Sequence, residues 1–173
     1  MGGKMDPEPG VTIKRLETDQ EIDGKAYVHW QAWKEAYVGL VDQGFLDGRT
    51  LERSRQFARR AFDNGYRTIL AKDGERVVGF ADYGPYRGED LPDAGEVYAI
   101  YILKEYYGKG VGFALMRRAV DLLKDHPRVA VWVLEGNERA IGFYTRFGYR
   151  LDGKKQTLML GTAVTEARMI LDR

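Results

Sequence analysis

The chain has 173 residues, 27 Lys and Arg against 26 Asp and Glu, a formal net charge of +1 and no cysteine. That length gives one domain enough interior for a real core. The charge balance makes no case for nucleic acid or membrane as a partner, and the missing cysteines exclude disulfides, thiolate-held zinc and a cysteine nucleophile.

In chain order, Met1–Gly10 reads as a loose tail, with Met5 as an alternative start, and the domain is expected over 11–173. The start carries no signal-peptide pattern and no run reaches membrane-span length, so the reading is a cytoplasmic protein. His29 and His126 lie far apart with no metal spacing, and no metal is expected. Val11–Leu16 alternates as a first strand. Thr18 or Asp19 caps a helix whose Ile22, Ala26, Trp30, Trp33, Tyr37 and Leu40 recur at three and four. Its aromatic stripe is core, with Trp33 and Tyr37 as candidates for a substrate pocket. Residues 39–48 read as a loop. Asp47 or Thr50 caps a second helix carrying Leu51, Phe57, Ala58, Ala61 and Phe62, whose Arg53, Arg55, Arg59 and Arg60 read as a solvated face.

Tyr66–Lys72 and Arg76–Tyr83 read as a hairpin turning at Asp73-Gly74. Residues 84–94 form a long loop. The apolar run 96–103 leads to Tyr107-Gly108-Lys109-Gly110-Val111-Gly112-Phe113, after which Val111, Leu115, Ala119 and Leu122 recur at helical spacing over 111–124. This is a strand, a glycine turn and a helix, and unshielded N–H groups at a helix start hold an anion such as a pyrophosphate. Two other phosphate motifs are excluded. Phe113 stands where a dinucleotide fingerprint needs glycine, and Lys155 follows Gly148–Lys154 where a P-loop needs Ser or Thr. A buried strand at 129–134, a helix at 138–146, a strand at 149–154, an undetermined stretch at 157–165 and a strand at 167–171 complete the chain. Strands 96–103 and 129–134, joined by a helix, are expected parallel with a right-handed crossover.

Asn137, Ala140, Phe143, Tyr144, Gly148 and Tyr149 spell N-x-x-A-x-x-F-Y-x-x-x-G-Y, about 30 residues beyond the glycine turn. Together the two motifs resemble the GCN5-related N-acetyltransferase (GNAT) superfamily, closely over 66–155. The resemblance implies a single-domain α/β fold of the mixed type. It has about seven mostly antiparallel strands, about four helices, and a parallel central pair that splays to admit acetyl-CoA. It implies cofactor contacts from Ile100, Tyr101 and Ile102, from Tyr107, Gly108, Lys109, Gly110, Val111, Gly112 and Phe113, and from Asn137 and Tyr144. Tyr107 departs from the family's usual Gln or Arg, and Lys109 is expected to compensate in part.

Tyr144 matches the family's general acid. A phenol, with pKa near 10, can protonate a coenzyme thiolate whose thiol has pKa near 8.5. Glu96 is the candidate base, and period two puts it on one face with Tyr98, Ile100 and Ile102. Tyr98 is a second candidate for the acceptor site. Trp132 occupies the place where ribosomal-protein N-terminal acetyltransferases carry glutamate, which disfavours that branch, and the Trp33-Lys34-Glu35-Ala36-Tyr37 segment with the F-Y-x-x-x-G-Y end looks more like the small-molecule and polyamine branch. The expected activity is acetyl transfer from acetyl-CoA to a primary amine of a small molecule (polyamine-like, amino acid or antibiotic) in a ternary complex. The alternatives are an acyl-CoA-sensing module without chemistry and a protein or peptide N-acetyltransferase. A homodimer is left open.

Overall fold

The computed structural model describes residues 6–173. Thirteen elements follow in order: β1 (Val11–Arg15), α1 (Asp19–Ala36), α2 (Gln43–Asp47), α3 (Leu51–Asp63), β2 (Arg67–Asp73), β3 (Arg76–Pro85), β4 (Gly95–Ile102), a 3₁₀ turn (Lys104–Tyr106), α4 (Val111–Leu122), β5 (Arg128–Leu134), α5 (Glu138–Phe147), β6 (Arg150–Leu160) and β7 (Thr162–Asp172). The seven strands form one sheet in the order β1-β2-β3-β4-β5-β7-β6. All neighbours are antiparallel except β4 and β5. The mixed, mostly antiparallel architecture with one parallel pair is therefore as the sequence indicated. Five α-helices stand where about four were expected, because α2 lies inside the stretch read as a loop. Its Asp42 cap accepts a hydrogen bond from Phe45 N–H.

Local chemistry sets the element ends. Thr18 accepts from the Glu21 amide while Glu21 reaches back, a full capping box. Thr50, not Asp47, caps α3. The hairpin between β2 and β3 pairs Asp73 with Arg76, so its two turn residues are Gly74 and Glu75, one place later than Asp73-Gly74. The undetermined stretch 157–165 completes a long β6–β7 hairpin turning at Gly161, with Leu160 opposite Thr162. The amphipathic reading of α3 is right for Ala58 and Ala61, which are buried, but Phe57 and Phe62 are exposed. Phe57 instead lies 5.9 Å from the His29 ring.

The main core lies between α4 and one face of the sheet, in a cluster that includes Leu115, Met116 and Ala119 of α4 and Val129, Val131 and Val133 of β5. On the other face α1 is anchored by a buried group. Lys25 Nζ donates to Asp82 Oδ1 at 2.7 Å and Thr68 Oγ1 at 3.1 Å, and Thr68 Oγ1 donates to Asp82 at 2.5 Å. Burial of the ion pair is tolerated because each charge has hydrogen-bond partners.

Two irregularities in β4 make the site. First, β4 and β5 pair only at Gly95↔Val129 and Glu96↔Ala130 and then diverge. The β4 edge facing β5 is left without a strand partner beyond Glu96. Second, Val97 faces Tyr83 and Ala99 faces Asp82 on β3, so Tyr98 is an extra residue, a bulge. A bulge reverses the alternation. Gly95 faces Leu123 and His126 at the end of α4, and Ile102 meets Gly79 and Leu115 on that same face, although the two are seven positions apart, an odd number. Glu96 consequently faces the α1 side with Ala99 and Tyr101, not the side of Ile100 and Ile102 that period two assigned.

The Met1–Gly10 tail falls partly outside the described residues. Glu8 N–H donates to Lys109 O at 3.0 Å, and Lys109 Nζ pairs with Glu8 at 3.2 Å. Among the described residues no helix is long and apolar enough to cross a membrane.

Candidate active site

A cavity of about 930 Å³ opens where β4 and β5 part. One end is formed by the glycine turn and the start of α4. Gly110 holds φ +77°, the left-handed region that favours glycine, and caps α4 with no side-chain hydrogen bond. The helices α1, α2, α3 and α5 are each capped by a side chain, from Thr18, Asp42, Thr50 and Asn137. α4 thus keeps the N–H groups of its first turn for an outside acceptor, with the positive end of its dipole behind them. Gly112 faces the cavity, and a Cβ there would meet only ordinary contact at 3.4 Å from Phe143.

Ile100, Tyr101, Ile102, Tyr107, Gly108, Gly110, Val111, Gly112, Phe113, Asn137 and Tyr144 all line this cavity. Lys109 does not, being turned toward Glu8 and lying 5.3 Å from the centre of the Tyr106 ring. The cation beside Tyr107 comes instead from α5: the Arg139 guanidinium lies 3.1 Å from the centre of the Tyr107 ring, and Arg139 lines the cavity with Lys104 and Arg146. Asn137 accepts from the Ala140 amide at 3.2 Å, so it performs the helix-cap role.

At the middle of the cavity stands Tyr144, 8% exposed, its ring 5.4 Å from Phe143 and 5.8 Å from Tyr149. Among the described residues its hydroxyl has no hydrogen-bond partner. Burial, with Tyr37 and Glu166 nearby, pushes the phenol above its ordinary pKa, so it stays protonated at neutral pH. Tyr37 and Tyr101 join hydroxyls at 2.9 Å across the gap between α1 and β4. Burial pushes Tyr101 up to about 12. Trp33 is not in the cavity wall; it lies behind Tyr37, ring centres 4.5 Å apart, with Arg49 stacked on it.

The other end is polar and acidic. Glu96 is 1% exposed and fully engaged by Arg87, whose main-chain N–H and Nε donate to Oε2 at 3.0 and 3.3 Å and whose Nη2 donates to Oε1 at 2.6 Å. Tyr98 lines this end, its hydroxyl donating to Pro85 O at 2.6 Å and its ring under Arg87. The 86–94 loop is fastened by buried Arg168, which donates to Tyr86 and Asp90, at 2.8 and 2.9 Å, and to Asp152. Sequence reasoning missed Arg87, Arg139, Gln156, Leu158 and Glu166 in this wall. Only the alternation of β6 and β7 bears on the last three, and those strands were not delimited well enough to phase it.

The arrangement combines an anion-binding helix start, an open strand edge and a buried phenol, which suits acyl transfer from a phosphate-bearing carrier. Comparison with known proteins agrees. The model of the acetyltransferase (GNAT) family matches residues 26–149. An uncharacterized N-acetyltransferase of Bacillus subtilis is 29% identical over 141 residues, covering 79% of each chain. An L-methionine sulfoximine/L-methionine sulfone acetyltransferase of Pseudomonas paraeruginosa is 28% identical over 127 residues, 70% of this chain and 66% of that one. The PaiA N-acetyltransferase of Thermoplasma acidophilum, solved in complex with coenzyme A, shares the fold at TM-score 0.71 and 17% identity, over 94% of this chain and 99% of that one. With a family match that spans both the glycine turn and the Asn137–Tyr149 helix, the chain belongs to the GNAT family of acetyltransferases.

Proposed function

We propose that this protein transfers an acetyl group from acetyl-CoA to a primary amine of a small molecule by direct attack in a ternary complex. The observation that carries the reading is the single cavity that runs from an uncapped helix start, past the parted β4–β5 edges, to a carboxylate-lined end. Acetyl-CoA supplies the activated acetyl group: a C–N bond to the acceptor forms as the C–S bond breaks, and sulfur leaves as the thiol.

The chain's own residues fit such a partner. The first-turn amides of α4, with Arg139, Lys104 and Arg146 around them, suit a pyrophosphate and its flanking charges. The unpaired β4 edge at Ile100–Ile102 suits an extended amide-bearing arm, added as a strand would be. Tyr144 is proposed to hold a proton for the departing sulfur. Tyr98 and Tyr37 are proposed to flank the acceptor, with Glu96 and Glu166 as the carboxylates on its side. The Pseudomonas relative's named substrates are small molecules bearing an amine, which favours that acceptor class here over protein termini.

The test couples binding to turnover. Acetyl-CoA at 100-fold above its Kd should stabilise the fold by about 2.7 kcal/mol. The protein should also release CoA with at least one of n-butylamine, 1,4-diaminobutane, benzylamine and L-methionine sulfone. An unchanged melting temperature removes the acetyl-CoA reading. Binding without CoA release from any amine favours a sensing module.

A further inference from the structure

From the cavity wall on β7 we infer that Glu166, rather than Glu96, is the carboxylate that receives the acceptor's ammonium and takes its proton. This rests on the acetyl-transfer reading above and assigns the base within it.

The two carboxylates differ in what already occupies them. Glu96 accepts three hydrogen bonds from Arg87, spread over both oxygens. A carboxylate saturated by a guanidinium has little capacity left for a second cation or a proton. Glu166 lies opposite Leu134 on β5 and opposite Gln156 on β6, level with the end of β5. Its contact is one amide: Gln156 Nε2 donates to Oε2 at 2.8 Å. Among the described residues no Lys, Arg or His lies within ion-pair distance of it. Glu166 is half-buried and lines the cavity, so an anion with no cation paired to it among the described residues is presented to whatever enters. Gln156 fixes one oxygen and leaves the other available.

The groups facing it are known. Glu96 and Arg87 approach from β4 and the 86–94 loop, Tyr144 from α5, and Tyr37 from α1. Burial raises the Glu166 carboxyl, and Glu96 adds to this, while Gln156 and Arg87 oppose it. A carboxylate so placed binds an alkylammonium, and its raised proton affinity narrows the gap to an amine of pKa near 10. The proton moves from the ammonium nitrogen to the free Glu166 oxygen, the nitrogen keeps the lone pair that attacks, and Glu166 afterwards returns the proton to water at the cavity mouth. Tyr144, which approaches from α5, is left to serve the sulfur.

The experiment compares Glu166→Gln and Glu96→Gln with the parent by CoA release, using n-butylamine, benzylamine and L-methionine sulfone between pH 6.5 and 10. Glu166→Gln keeps the shape and the contact to Gln156, so the fold should survive; equal melting temperature and equal KM for acetyl-CoA check this. Expected is a loss of about 10²-fold in kcat/KM for the amine near pH 7, shrinking toward the parent value as pH approaches 10 and free amine accumulates. Glu96→Gln should lose activity without that recovery, because it releases Arg87 rather than removing a base. A parental pH profile for Glu166→Gln overturns the inference, as does a loss of equal size at every pH, which marks a packing role. Recovery at high pH in Glu96→Gln alone returns the base to β4. A parent that releases no CoA with any amine fails the acetyl-transfer reading itself, and the inference falls with it.

Discussion

Tyr144→Phe separates chemistry from packing more cleanly than any other change in the cavity. The ring is buried between Phe143 and Tyr149, and the hydroxyl has no partner among the described residues. Phenylalanine keeps every ring contact, and no hydrogen bond is broken. The stability change should therefore stay within about 1 kcal/mol, the size of one net hydrogen bond. For a domain of this length that is a melting shift of about 2–4 °C at most. The turnover effect should be far larger. A positioned general acid is worth about 10²–10⁴-fold, or about 2.7–5.4 kcal/mol of barrier. The affinity for acetyl-CoA should change little, because the α4 amides and the β4 edge remain. Since burial raises the phenol above its ordinary range, the parent should keep this acid protonated up to at least pH 10. Free CoA can be followed with a thiol reagent, and the absence of cysteine from the chain leaves no protein background. A kcat within twofold of the parent would reduce Tyr144 to a packing residue. A fall in acetyl-CoA affinity that accounts for the whole loss of kcat/KM would make it a binding group instead.

Two further outcomes concern the scaffold behind the cavity. Burial, with Arg49 and Lys25 nearby, lowers His29 to about 3. The folded protein then refuses a proton that the unfolded chain takes below pH 6.5, so stability is present above that value and is lost as pH falls toward 3. Between pH 7.5 and 5 the loss should be about 2 kcal/mol. Glu21, held near 2 by bonds from Lys14, Lys72 and two backbone amides despite its burial, contributes its own loss only below its ordinary carboxyl range. Urea titrations of the parent and of His29→Gln at the two pH values check this; equal slopes with pH would show that His29 is not the group responsible. Lys25→Met strands Asp82 in the sheet and should cost about 3–5 kcal/mol, while Lys25→Met with Asp82→Leu should recover much of it. If single and double variants unfold at the same urea concentration, the pair is not buried in the way its contacts indicate.

The glycine turn, the Asn137–Tyr149 motif and, α2 and the β6–β7 hairpin apart, the order of elements were legible in the chain because each depends on neighbours in sequence. Gly110 at a helix start, Thr18 as a helix cap and the apolar run of β5 are local chemistry, and a local pattern carries them. The same is true of Tyr144, whose position is fixed by the short helix around it. What the chain could not show is whatever arises when distant strands meet. The bulge at Tyr98 comes from the pairing of β4 with β3, and it turned Glu96 to the opposite face. The guanidinium over Tyr107 arrives from Arg139 on α5, while neighbouring Lys109 turns to Glu8. Arg87 closes on Glu96 from a loop, and Glu166 reaches the cavity only because β7 inserts between β5 and β6. Charge pairing acts across space, so the partner that decides whether a carboxylate is free or spent is set by strand order and not by spacing along the chain.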